Sequence, residues 1–487
     1  MQILVSQIGT TLTTLLFLYA LVTGVFLLTE NRRPQATLAW MLVLFFAPGI
    51  GLLIYLLFGR GNKAFSKRRK LLMQDLEANA RPLLSPILSR QDGRLARLET
   101  ESVSRRKLAR LVRRNSLSVL STRNRVEIQQ DAAKFYPSLI KDMKAAQHSI
   151  HLQYFIWAVD PFTESLKQIL IEKARAGVEV RLLYDPIGSQ AHVGRRYVKE
   201  MRAAGIRMAP TSPPYALHTI GYRNHRKITV IDGMIGYTGG MNIGQEQLDG
   251  GKGFDSWRDT QVRLVGESAA VLQAVFMVDW YNAVRENLFY AKYFPPGVKE
   301  PSEHDVPVQI LTSGPDSQWA AIRQLYALMI VSPQRHVYLQ SPFFIPDAPL
   351  AAALRAAALS GVDVKVMVSA RPSGNRLPDW AGNTYIEEIV TAGVRVFLYE
   401  KGYLHAKTIS IDSEICSIGS ANIDIRSFSI NYELNAVFYS EQIARELERD
   451  FERDLAYCTE FDPKAYRKRG AASRFRDSVA RVLSPLL

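Results

Sequence analysis

The stretch His225-Arg-Lys227-Ile-Thr-Val-Ile-Asp232, trailed by Gly239-Gly240-Met241-Asn242, recurs as His405-Ala-Lys407-Thr-Ile-Ser-Ile-Asp412, trailed by Gly419-Ser420-Ala421-Asn422. In each copy the histidine and lysine stand two apart and lead into an alternating β-pattern. Side chains at i and i+2 share one face of a strand, so imidazole and ammonium point together. Asp232 and Asp412 come seven positions after their histidines. That spacing puts each aspartate on the opposite face or in a hairpin turn such as Asp232-Gly233, where it braces the motif rather than touching a substrate.

The similarity extends outward from the motifs. Ser149-Ile-His-Leu-Gln153 resembles His336-Val-Tyr-Leu-Gln340, and Ala176-Gly-Val-Glu-Val-Arg-Leu-Leu183 matches Ser360-Gly-Val-Asp-Val-Lys-Val-Met367. Ala204-Gly-Ile-Arg207 matches Ala392-Gly-Val-Arg395. The offset stays at roughly 180–190 residues, too long for a solenoid repeat and suited to two tandem domains. Within a copy, an extended run such as Ile150 to Ile156 precedes a helix near Glu164 to Ala176 and a strand at Val178 to Tyr184. That alternation predicts an α/β fold with two tandem halves, each a sandwich whose sheet is covered on both faces.

The residue types define a chemistry. A neutral imidazole can attack phosphorus and form a phosphohistidine, while a second, protonated imidazole gives its proton to the leaving oxygen. Lys227 and Lys407 would neutralise non-bridging phosphate oxygens, and Asn242 and Asn422 would donate hydrogen bonds to the developing charge. Each histidine needs an acid on its other nitrogen, and two stand downstream: Asp259 in Ser256-Trp-Arg-Asp259, and Glu433 in Asn431-Tyr-Glu433. A metal site does not fit, because each histidine is paired with a cationic lysine and no acidic cluster surrounds it. The histidines at 148, 151, 192, 218, 304 and 336 lack this context, and most read as structural or surface residues.

The 487-residue chain is 47% hydrophobic and 22% charged, which supplies a sizeable core and excludes global disorder. Two cysteines, Cys416 and Cys458, exclude a disulfide framework and a four-thiolate zinc site and indicate a reducing compartment around the body. The net charge of +15 is unevenly placed: Arg60–Arg125 carries 18 Lys/Arg against 5 Asp/Glu, and Lys464–Arg481 carries 7 against 1. The stretch between them is mildly acidic. A nuclease would put its positive charge around the substrate channel, whereas basic flanks fit a body tethered over an anionic membrane.

No charged residue occurs from Met1 to Thr29, and Ile8–Leu28 is long enough to cross the hydrocarbon core at about 1.5 Å per residue. After Glu30-Asn-Arg-Arg-Pro34 a second uncharged run reaches Gly59. No Lys or Arg precedes the first run and no A-x-A-like site follows it, which argues against a signal peptide. The expectation is an α-helical transmembrane hairpin, helices about 8–28 and 36–58, with Pro48, Gly49 and Gly51 kinking the second or making it partly re-entrant. Arg60, Lys63 and Lys67-Arg-Arg-Lys70 outweigh Arg32 and Arg33, placing the N-terminus and the body on the cytoplasmic side.

The resulting organisation is a hairpin at 1–60, a basic juxtamembrane linker at 61–125, halves at 126–300 and 301–463, and a basic amphipathic segment at 464–487. Arg90–Asn115 reads as a basic amphipathic helix carrying Leu95, Leu98, Leu108 and Leu111, with a solvated linker helix as the alternative. Phe475, Val479, Val482, Leu483 and Leu486 recur at helical spacing, for a segment that lies in a membrane interface or packs on the body.

Two intact motifs in matching halves resemble the phospholipase D superfamily, whose members carry paired H-x-K-x4-D motifs in α/β halves meeting at a pseudo-twofold. Arg32-Arg-Pro-Gln-Ala-Thr-Leu-Ala-Trp40, Pro48, Gly51, Tyr55 and Phe58-Gly59 narrow the resemblance to bacterial cardiolipin synthases, as do Gly419-Ser-Ala-Asn422-Ile-Asp424-Ile-Arg426-Ser427 and Leu483-Ser-Pro-Leu-Leu487. The resemblance implies transphosphatidylation between two phosphatidylglycerol molecules, giving cardiolipin and glycerol, without a metal or nucleotide cofactor. By analogy His225 is the nucleophile and His405 the acid/base, the pseudo-symmetry leaving the order open. The implied location is the bacterial cytoplasmic membrane, multi-pass with a cytosolic body. The implied partner is an anionic phospholipid membrane rather than nucleic acid, and a homo-oligomer is compatible. Tyr154, Phe155, Trp157, Phe343 and Phe344 are candidate lips of a membrane-facing pocket, about half of them expected in the core.

Three rivals remain at this level. A hydrolytic phospholipase D would share every catalytic residue and use water as acceptor. A membrane-anchored nuclease would need a basic cleft, which the acidic body does not supply. A non-enzymatic scaffold would not need two intact motif sets.

Overall fold

Each histidine–lysine motif leads into a four-residue strand buried along its whole length, and each strand lies in the interior of its own mixed sheet. The computed structural model describes residues 2–29, 34–55, 78–116, 118–189, 193–213, 221–251, 253–295, 302, 304–372, 374 and 376–484. Arg32, Arg33, the basic cluster at 60–70, His192, His218 and Leu486 lie outside the described residues. The chain forms two compact units, residues 1–68 with 214–221, and residues 69–213 with 222–487.

The larger unit holds both halves. β1 (Leu120–Ser121) and β2 (Asn124–Gln130) enter first, and β3 (Ser149–Tyr154), β4 (Glu179–Tyr184) and β5 (Arg207–Pro210) then alternate with helices Pro161–Arg175 and Arg195–Ala203. β6 (Ile228–Ile231), β7 (Ile235–Gly239), β8 (Trp257–Arg258) and β9 (Thr260–Gly266) lead to the helix Glu267–Val284. The second half runs through β10 (Val308–Ser313), β11 (His336–Gln340), β12 (Asp363–Ser369), β13 (Arg395–Tyr399) and β14 (Tyr403–Leu404). It closes with β15 (Thr408–Ile411), β16 (Ile415–Gly419), β17 (Glu433–Phe438), the helix Glu441–Leu455 and β18 (Cys458–Glu460).

The strand orders make the duplication explicit. The first sheet reads β2-β9-β7-β6-β3-β4-β5, and the second contains β10-β17-β16-β15-β11-β12-β13 in the equivalent order, extended by β1 and β18 at its edges. In both, the pairs joined by crossover helices are parallel and the motif hairpins antiparallel. The crossover helices begin where the sequence supplies caps: Asp160 accepts from the Thr163 N–H in a reciprocal capping box, and Asp347 accepts from the Leu350 N–H.

The inner faces of the two sheets share one core. Ile228, Val230, Val262 and Leu264 cluster with Ile418, Leu434, Ala436 and Phe438 and with the helices Glu267–Val284 and Glu441–Leu455. Separate clusters cover the outer faces. Arg90–Asn115 is not one solvated helix: the chain turns extended at Ser102 between helices Ser85–Glu101 and Val103–Ser116. Their apolar side chains Leu95, Leu98, Leu108 and Val112 are buried in the outer core of the second half.

In the smaller unit, helices Gln2–Thr29, Pro34–Phe46 and Ile50–Ile54 carry no charged residue. Leu27, Leu44 and Tyr55 pack them together, with the Tyr55 ring edge-on to Trp40 at 5.1 Å. The expected second helix at 36–58 is not continuous. It stops at Phe46 and restarts at Ile50, because Pro48 cannot donate a helical hydrogen bond and Gly49 takes φ 92°. Among the described residues no helix is long and apolar enough to cross a membrane.

Candidate active site

Each motif strand is entered by a short segment that pairs with the other half. The His225 N–H donates to the Tyr432 carbonyl at 2.9 Å, and the His405 N–H donates to the Arg258 carbonyl at 2.7 Å. The carboxylate of the next residue in each partner segment then reaches the histidine ring. His225 Nδ1 lies 3.0 Å from Glu433 Oε2 and 3.0 Å from the Ser420 carbonyl oxygen, and His405 Nδ1 lies 2.6 Å from Asp259 Oδ2. Carboxylates and carbonyls only accept, so both rings carry a proton on Nδ1 and present the Nε2 lone pair when neutral.

Lys227 and Lys407 are fully buried, and each donates to its own motif's histidine carbonyl, Lys227 at 2.8 Å. Burial, only partly offset by Glu433, brings the Lys227 ammonium down to about 7, with Lys407 adding repulsion. Burial brings Lys407 down to about 8 against the attraction of Asp259 and Glu433. Each lysine thus feels the carboxylates of both halves, which gathers the two motifs into one electrostatic site. Burial also lowers both imidazoles, His405 to about 3 with help from Lys407. Burial would raise the carboxylates, but Lys407 and His405 hold Asp259 below its ordinary value, and His225 and Lys227 do the same for Glu433. The site therefore pairs neutral imidazoles with ionised acids and poorly solvated lysines, an arrangement that an incoming phosphodiester anion would relieve.

Asp232 and Asp412 are not brought to the histidines. Each ends its motif strand in a left-handed turn, φ 52° and 50°. The Asp232 carboxylate accepts from the N–H groups of Gln147, His148 and Ser149 at 2.7–2.8 Å. Asp412 accepts likewise from Gln334, Arg335 and His336 at 2.8–2.9 Å. They tie the entrance of β3 or β11 to the motif hairpin.

Asn242 is buried and its Oδ1 accepts from the Ile156 N–H at 3.2 Å. Asn422 is buried beside Asp424, and its Oδ1 has no hydrogen-bond partner among the described residues. Of the aromatic candidates, Tyr154, Trp157 and Phe344 belong to the core. Phe155 is half-buried, its ring 4.9 Å from His225 and 5.6 Å from Lys227 Nζ. Two aromatics that pattern reasoning passed over flank the other histidine: Trp257 at 5.4 Å and Tyr403 at 5.8 Å from the His405 ring. The nearness of Trp257 to Asp259 in sequence was the available signal.

Arg226 and Arg258 were also missed, and they fill equivalent roles from opposite strands. Arg226 Nη1 binds Asp279 at 2.8 and 2.9 Å, while Arg258 Nε binds Asp454 at 2.9 Å. Both aspartates sit on the long helix after the sheet, and each also accepts from a strand glutamine, Gln153 at 2.7 Å or Gln340 at 3.0 Å. One crossing takes its arginine from the middle of the histidine–lysine motif and faces it with Tyr432. The other has Ala406 in the motif and takes Arg258 from the partner segment.

A family described as "Cardiolipin synthase, PLD-like domain" matches residues 139–279 and 326–455, and "Phospholipase_D-nuclease N-terminal" matches residues 15–60. The cardiolipin synthase of Geobacillus kaustophilus (strain HTA426) is 39% identical over 464 residues, covering 94% of this chain and 90% of that one. The major cardiolipin synthase ClsA of Bacillus subtilis (strain 168) is 38% identical, covering 99% and 100%. The solved phosphatidylserine synthase of Haemophilus influenzae Rd KW20 superimposes with a TM-score of 0.61 over 78% of this chain and 100% of that one; at 13% identity it speaks to the fold alone. With both motif halves matched and the similarity running nearly end to end, the chain belongs to the cardiolipin synthase family of phospholipase D-like proteins.

Proposed function

We propose that this chain is a phosphatidyltransferase that converts two phosphatidylglycerol molecules into cardiolipin and glycerol through a phosphatidyl-histidine intermediate. The observation that carries the reading is the pair of buried histidine–carboxylate contacts closed between the halves, with both lysines in the same field. His225 Nε2 attacks phosphorus, and His405, which takes up a proton from solvent as the anionic phosphodiester binds, gives that proton to the glycerol oxygen as that P–O bond breaks. His405 then takes the proton of a hydroxyl on the second lipid, whose oxygen attacks phosphorus and breaks the P–N bond, restoring His225. Lys227 and Lys407 neutralise the non-bridging oxygens, while Glu433 and Asp259 hold the rings and stabilise their cationic forms. Mapping the phosphorylated histidine decides between this order and its mirror image.

The N-terminal helices are the membrane segment in this reading, and the body faces the cytosol. Supporting it are the uncharged first helix of 28 residues and the exposure of Phe17, Val22, Leu28, Phe45, Phe46 and Ile50, unusual for a surface in water. Phosphatidylglycerol is the partner such a membrane offers to two buried lysines.

The test is purified protein in phosphatidylglycerol vesicles without nucleotide or metal, the products read by mass spectrometry. Equimolar cardiolipin and glycerol are expected. Phosphatidic acid and glycerol without cardiolipin would mean that water is the acceptor.

A further inference from the structure

The C-terminal helix Ala471–Leu483 has two opposed faces. On one, Ala480 packs with Ile345 and Ala381, and Ile425 lies against the same cluster. Buried Asp477 accepts from Arg476 Nη2 at 2.9 Å, Tyr466 Oη at 3.3 Å and Asn383 Nδ2 at 3.3 Å, and it also pairs with Arg469. Arg481 reaches Glu388 at 2.6 Å. The helix is thus firmly seated on the helix Leu377–Val390.

On the other face, Phe475 is 72% exposed, Val479 43% and Val482 78%. Their i, i+4, i+7 spacing aligns them in one stripe, turned away from Asp477 and Ala480. A bulky apolar stripe held in water by a well-anchored helix calls for an occupant.

We propose that this stripe is a second membrane contact that inserts into the interface of an anionic bilayer and turns the active-site rim toward it. Charge selects the occupant. Between Lys464 and Arg481 there are seven Lys/Arg and a single acid, buried Asp477; Arg469 and Arg476 pair with Asp477, Arg467 with Glu387 and Arg481 with Glu388, and Lys464, Lys468 and Arg474 leave the segment with a positive balance. Arg474 and Arg481 flank the stripe on one side and Arg476 on the other, the disposition of a helix lying in the headgroup layer. Position ties it to the site: Ile345 donates its N–H to the Ile423 carbonyl at 2.7 Å, one residue from Asn422, and Ile425 opens the short helix that Asp424 caps through the Ser427 N–H.

The consequence for turnover rests on the lipid-transfer reading, whereas the insertion itself does not. Full-length Phe475→Cys in a Cys458→Ser background, labelled with bimane, is mixed with vesicles of phosphatidylglycerol or phosphatidylcholine bearing brominated acyl chains. The expected result is a blue shift and quenching by the brominated chains, strongest in phosphatidylglycerol. Unchanged aqueous emission would overturn the proposal, as would a 475–475 cross-link between two copies. Phe475→Asp/Val482→Asp should raise the KM for vesicle phosphatidylglycerol at least about tenfold while leaving kcat on a short-chain soluble analogue unchanged. An unaltered vesicle KM would overturn the link to catalysis. Labelled protein that inserts yet makes no cardiolipin would fault the transferase reading alone.

Discussion

Glu433 of the second half holds His225 of the first at 3.0 Å, and Asp259 of the first half holds His405 of the second at 2.6 Å. Neither histidine is oriented by its own half, so neither half contains a complete catalytic pair. Replacing Glu433 by Gln or Asp259 by Asn keeps the shape and removes the charge that fixes the tautomer and stabilises the imidazolium. Turnover should fall by roughly 10³–10⁴-fold with little change in thermal unfolding, by analogy with the loss of a triad carboxylate. Normal turnover in either variant would remove the pair from the mechanism.

The two crossings differ in a way that can be exchanged. The Gly240 N–H donates to the Thr260 carbonyl just as the Ser420 N–H donates to the Leu434 carbonyl, so Gly240 and Ser420 are equivalent. A Cβ at Gly240 would stand 2.1 Å from Asp259 Oδ1, while Ser420 instead donates its hydroxyl to the longer Glu433. Gly240→Ser alone should displace Asp259 and cost about 10²-fold in kcat. Gly240→Ser with Asp259→Glu copies the other crossing and should recover most of that loss. Kinetics of the single and double variants decide.

The arginines allow a parallel exchange. Arg226→Ala strands buried Asp279 without its cation and should destabilise the fold by about 3–5 kcal/mol. Arg226→Ala with Tyr432→Arg reproduces the Ala406–Arg258 arrangement and should restore much of the stability. Chemical denaturation of the two proteins measures it; equal stabilities would show that position 432 cannot reach Asp279.

The lysines predict the alkaline limb of the pH profile. Lys227 at about 7 and Lys407 at about 8 lose their protons, and with them their positive charge, as pH rises through those values. The substrate-concentration-limited rate, kcat/KM, should therefore decline above about pH 7. The limb in kcat should lie higher, because bound phosphate favours the charged lysines. Lys227→Arg, which stays charged, should move the kcat/KM limb upward. Profiles that superimpose for the variant and the native protein would exclude Lys227 as its source.

Asp232→Ala tests bracing against chemistry. Three N–H groups, those of exposed Gln147 and His148 and of Ser149 at the start of β3, would lose a charged acceptor, at a cost of about 1–3 kcal/mol in stability. At a temperature where the variant remains folded, kcat and KM should be near native. A selective collapse of kcat in fully folded protein would place Asp232 in the reaction after all.

What was legible in the sequence was local or periodic. The two-residue step from histidine to lysine, the strand that follows and the aspartate in its turn depend on a few neighbouring dihedrals, and two copies of that pattern disclosed the duplicated fold. Asp259 and Glu433 could be nominated by residue type. Which acid serves which histidine was decided by contacts 146 and 208 residues apart, set by how the inner faces of two sheets close on a shared core. The same closure let one crossing draw its arginine from position 226 and the other from 258 and placed Trp257 and Tyr403 against His405, while Leu95, Leu98, Leu108 and Val112 found their burial on the outer core of the second half. No window along the chain carries that information, because each of these partners is supplied by a segment whose own pattern is complete without it.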